Sequence, residues 1–139
     1  MYVDMWLVFG FHLWYYNIVR IFKNTWFNRF AGKEGITDSE LKEVVVRLEK
    51  GQADADLGGN VYKIRVARSG EGKSGGFRVI VFFRSEDKTF FVYGFAKSAQ
   101  GNIDKGELQA FKADSKVNLS LTDEQILERL RKRTLIEVL

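Results

Sequence analysis

Three stretches near the middle of the chain constrain its fold more than anything else in it. Val61 to Ala67, Phe77 to Phe83 and Phe90 to Phe95 are rich in β-branched and aromatic residues, and turn-forming sequence separates them. Such runs predict a three-stranded antiparallel meander, the last two strands joined by the polar turn Ser85 to Lys88. In the first run, Val61, Lys63, Arg65 and Ala67 alternate with Tyr62, Ile64 and Val66, which predicts a strand with a solvated basic face.

The flanks have helical period. Asn24 or Thr25 can cap a short helix carrying Trp26, Phe27 and Phe30 and ending at Gly32, after a strand at Ile18 to Phe22. Thr37 and Glu40 have the spacing of a capping box, and Leu41, Val44, Val45 and Leu48 follow at i, i+3, i+4 and i+7 before Gly51. Gln52 to Asn60 reads as a loop rich in glycine and aspartate. From Asp104 onward the period is helical again, with Leu108 and Phe111 on one face, and Thr122 with Gln125 offers a second capping box before a helical end to the chain. The expected class is α+β: a small antiparallel β-sheet with helices packed on one face.

Composition narrows the chemistry. The 139 residues include no cysteine and one histidine, His12, which removes disulfides, thiolate metal sites, cysteine nucleophiles and His-rich metal clusters. No metal or cofactor is expected, and the spacings of Asp54 with Asp56 and of Asp123 with Glu124 lack the further carboxylates of a calcium loop. The net charge of +4 is unevenly spread: residues 60–100 hold eight basic and three acidic residues, and the flanks are close to neutral. That clustering points to an anionic partner.

Met5 to Val19 runs fifteen residues without a formal charge and holds Trp6, Phe9, Phe11, Trp14, Tyr15 and Tyr16. It is short for a membrane span and lacks the basic start and small-residue cleavage site of a signal peptide, so a membrane partner is not expected. Residues 1–17 are expected to be an extension packing on the domain or on a second copy, which would make a homodimer, and residues 18–139 to form one domain.

The loop from Arg68 to Gly76 contains Gly72, Lys73 and Ser74 but fails as a P-loop: Ala67 stands where the leading glycine belongs, and a strand follows instead of a helix. The stronger constellation is Lys63, Arg65 and Arg68 on the first strand and its end, Arg78 on the second, and Tyr93 with Lys97 at and beyond the third. Antiparallel neighbours can bring these into one patch, although Lys and Arg on a wet sheet face are also ordinary solubilising residues. Tyr93's face depends on where a bulge falls. Such a patch suits RNA binding with or without cleavage; arginine offers a forked donor for phosphate but is a poor general base.

The string from Asp54 to Arg68, then Gly70, Gly72, Lys73, Gly75, Gly76, Phe77 and Arg78, then Tyr93, Gly94, Phe95, Ala96 and Lys97, resembles the RelE and HigB-like toxins of bacterial type II toxin–antitoxin pairs, within the RelE/ParE superfamily. The resemblance runs from Val19 to Leu130. It implies a compact α+β fold, a cognate antitoxin, a cytoplasmic location, and an endoribonuclease that cuts messenger RNA on the ribosome, with ribosomal RNA as scaffold, and thereby inhibits translation. Carried over, it makes Arg65 and Arg68 contacts to RNA phosphate or the transition state, Lys73 a loop contact to RNA and Arg78 a stabiliser of phosphate charge. Lys97 becomes the preferred proton-transfer group with Tyr93 as rival, and Lys63 a further RNA contact. After Lys97 the chain has Ser98, Ala99, Gln100 and Gly101 where that group commonly has a stretch with Asn and Arg. Two other readings stay open: a catalytically weak or inactive relative acting as a protein-binding module, and a ParE-like toxin acting on a protein such as gyrase.

Overall fold

A computed structural model describes residues 19–67 and 76–139. Arg68 and Lys73, the strand start at Ile18 and the extension at residues 1–17 lie outside the described residues. The described chain runs β1 (Arg20–Asn24), α1 (Thr25–Glu34), α2 (Asp38–Glu49), β2 (Ala55–Asp56), β3 (Val61–Val66), β4 (Phe77–Phe83), β5 (Lys88–Ala96), α3 (Lys105–Leu119), α4 (Asp123–Arg131) and β6 (Leu135–Val138).

The six strands form one sheet in the order β2-β3-β4-β5-β1-β6. The expected meander is its centre, β3 to β5. The α+β class holds, with two corrections of detail. The sheet is mixed, because β1 pairs parallel to β5, with Arg20 opposite Lys88. The helices cover both faces. On one, Phe27, Ala31, Leu41, Val44, Val45 and Leu48 of α1 and α2 pack on Ile64, Val66, Val79, Val81 and Phe91. On the other, Leu119 and Ile126 of α3 and α4 pack with Leu121 on Phe22, Val61, Ile80, Phe82 and Phe90. β4 explains why: all seven of its residues are buried, so both faces of the central strand need a cover.

The same cover corrects the expected solvated basic face of β3. Val61 on that face is wholly buried, and Lys63 is only partly exposed. Only the Arg65 end of the strand opens outward.

Local signals explain most boundaries. Asn24 caps α1 by accepting from the amide of Phe27, and Thr37, Asp104 and Thr122 each form a capping box. α1 does not stop at Gly32; it continues to Glu34 and ends where Gly35, at φ 75°, sends its amide back to the Ala31 carbonyl. The expected loop at 52–60 contains β2, two residues paired to Lys63 and Tyr62. The end of the chain is a strand, not a helix: Arg133 at φ 60° turns the backbone after α4, and β6 then pairs with β1. Four residues are too few for local periodicity to reveal; the partner strand, a hundred residues away in the chain on the order of magnitude, supplies the bonds.

Candidate functional site

β3, β4 and β5 deliver their basic residues to one end of the sheet because the register brings them there. Arg65 stands opposite Arg78, and Arg78 opposite Phe95, so the three form a cross-strand row on the face covered by α3 and α4. The neighbouring row is Lys63, Ile80 and Tyr93. A bulge at Val92 decides the face of Tyr93: Ile80 pairs with Tyr93 and Val81 with Phe91, leaving Val92 as the additional residue. Tyr93 therefore shares the face of Ile80.

Arg65 and Arg78 share one carboxylate. The Nε atoms of both lie 3.8 Å from Oδ2 of Asp54, which immediately precedes β2. That is an ion-pair distance, too long for a hydrogen bond. Arg65 is two-fifths exposed at its side chain, Arg78 only 11%. Arg78 Nη1 is buried and has no hydrogen-bond partner among the described residues. A buried guanidinium is costly to desolvate, so Asp54 is what makes its position tolerable. From behind, Arg47 on α2 donates through Nη2 to the Arg65 carbonyl at 2.8 Å and anchors the end of β3.

Tyr93 sits in an aromatic setting, its ring 4.6 Å from that of Trp26 and 5.7 Å from that of Phe111. Its hydroxyl donates to Gln100 Oε1 at 3.0 Å. Gln100 Nε2 donates to the Asn102 carbonyl at 2.9 Å, and Asn102 Oδ1 accepts from Lys63 Nζ at 3.2 Å. A polar chain thus links Tyr93 to Lys63 through two residues beyond the last strand of the meander. Burial first, and the negative charge of Glu107 second, push the Tyr93 phenol above its ordinary range. The group is accordingly a proton donor near neutrality.

Lys97 is exposed in the turn directly after β5, one residue past the Ala96–Phe77 pair, at the same end of the sheet as Arg65 and Arg78. Arg68 and Lys73 lie outside the described residues, in the connection between Val66 and Phe77 that starts at this end. Sequence reasoning missed Asp54, Arg47, Gln100 and Asn102 as parts of the site. Asp54 read as loop, and Gln100 as a departure from a familiar pattern; only register and folding-back reveal them. Among the described residues no group of three or more histidine, aspartate or glutamate side chains is arranged to hold a metal ion. No described helix is long and apolar enough to cross a membrane.

A family model of the RelE toxin, from the RelE/RelB toxin–antitoxin system, matches residues 19–138. The chain belongs to the RelE toxin family. No curated protein matches it. Family membership makes the chain the toxin side of a toxin–antitoxin system and implies a cognate antitoxin as partner. For this RelE toxin the match begins at the first described residue and covers all six strands, the basic end of the sheet included.

Proposed function

We propose that this RelE toxin is a metal-independent endoribonuclease that cuts messenger RNA on the ribosome and arrests translation in the cytoplasm. The observation that carries the reading is the Arg65–Arg78 row, held by Asp54 at the end of the sheet where Lys97 also stands. Cleavage by an adjacent 2′-hydroxyl needs a proton acceptor, stabilisation of charge on the phosphate and a proton donor for the leaving 5′-oxygen. Arg65, exposed and forked, suits the phosphate oxygens. Arg78, almost wholly buried, acts as a fixed positive field beneath it. Lys97 is the preferred proton-transfer group, and Tyr93, kept protonated by its surroundings, suits the donor role better than the acceptor role. Arg68, Lys73 and Lys63 extend the RNA contact. Residues 18–139 act as one unit in this reading.

Expression in cells tests it. Rapid loss of translation with cut messages, abolished by Lys97→Ala and by Arg68→Ala, is the expected result. Growth arrest with intact messages would overturn it, and arrest of replication instead would favour a gyrase-type protein target.

A further inference from the structure

A groove of about 780 Å3 opens between α2 and the edge formed by β1 and β6. Val19, Ile21, Val45, Val46, Val138 and Leu139 make its walls apolar. It lies beside the start of β5, where Arg20 pairs with Lys88, and so at the other end of that strand from the Arg78–Phe95 pair. It is separate from the candidate site.

We propose that the aromatic N-terminal segment, residues 1–18, folds back into this groove as an intrachain cap. Continuity is the first argument, because residue 18 is bonded to Val19, itself a wall of the groove. The departure point is also held firmly. Arg20 gives Glu137 two hydrogen bonds of 2.8 Å, from Nε and Nη2, and its guanidinium rests 5.0 Å from the centre of the Phe22 ring. The chain therefore leaves β1 at the mouth of the groove. Chemistry is the second argument: an apolar groove meets a segment whose run from Met5 carries no formal charge and six aromatic residues. Size is the third, since the groove falls within the ~300–1,000 Å3 that buries most of a drug-sized molecule, room for several aromatic side chains. Tethering favours the chain's own segment over a second copy, because a short linker holds it at an effective concentration of ~mM.

The test uses the full chain carrying Trp26→Phe, so that only Trp6 and Trp14 fluoresce. Acrylamide quenching is expected to be weak, independent of protein concentration and seen in a monomer. Val46→Arg, which puts a charge in the wall, is expected to abolish the protection. Leu139→Arg gives the same result from a position 88% exposed, where loss of folding is no explanation. Tryptophans quenched freely in the parent, or protected equally in both variants, would overturn the proposal. Protection that fades on dilution together with a dimer would assign the groove to a second copy and overturn it as well.

Discussion

Arg65 and Arg78 face one another across β3 and β4, and each holds its Nε 3.8 Å from the same oxygen of Asp54. Two like charges directly opposite in a sheet repel, and one carboxylate between them offsets that repulsion. The same carboxylate stands where a phosphate oxygen would compete for the pair.

Asp54→Asn is therefore expected to move stability and RNA binding in opposite directions. Loss of the shared partner should lower stability by about 1 kcal/mol, the upper end for a partly exposed ion pair, read as a lower urea midpoint at unchanged slope. Binding of single-stranded RNA at fixed salt should tighten. Weaker binding would mean that Asp54 holds the arginines in shape more than it competes with the ligand.

Arg65→Ala should flatten the salt dependence of RNA binding. One phosphate contact to a single strand contributes ~0.7 to the slope of log K against log salt, so the slope should fall by about that amount. Arg78→Lys, at a buried position, should leave the slope alone and cost stability, because ammonium cannot reproduce the fork that lies against Asp54. Equal slopes in parent and Arg65→Ala would remove Arg65 from the RNA interface.

Alkali should weaken the fold through two phenols. Burial raises both Tyr62 and Tyr93 above the ordinary 10.0, with Asp56 and Glu107 respectively as second causes. The folded chain thus holds those protons more tightly than the unfolded one. The stability this contributes is complete below 10.0 and is lost as pH climbs through the higher folded values. Urea midpoints across that range should fall less steeply in Tyr93→Phe than in the parent. A parallel fall in both proteins would refute the assignment to Tyr93.

Gly94→Ala should destabilise by overpacking. A Cβ there would come within 2.4 Å of Cε2 of Phe30, whose ring is hemmed in by Trp26, Phe27 and Phe77. The expected cost is about 1–3 kcal/mol, and Phe30→Leu in the same chain should restore part of it. Thermal unfolding of the single and double variants decides the matter.

Legibility followed the range of the interactions. The capping boxes at Thr37 and Thr122, the α2 stripe and the three central strands declare themselves within a few residues of sequence, and the structure has them where periodicity puts them. β2, β6 and the parallel pairing of β1 exist only because a distant strand completes their hydrogen bonds. The site divides in the same way. Lys63, Arg65 and Arg78 could be named from charge and alternation, whereas Asp54 gains its role only when β2 folds back, and Gln100 and Asn102 only when the turn after β5 brings them to Tyr93 and Lys63. Arg78 also illustrates a limit of alternation: its face is the polar one by parity, yet α3 and α4 close over much of that face and bury it.

The placement of β1 between β5 and β6 has a consequence for the order of assembly during synthesis. Its residues are made before those of either neighbour, yet they cannot be bonded on both sides until Leu135–Val138 exists. Such distant pairings carry the largest loop-closure cost and come late in folding. A nascent chain whose last strand is still inside the ribosome therefore lacks the finished sheet, and the finished sheet is what holds the basic row in register. The topology ties completion of the toxin to release from the machine that makes it.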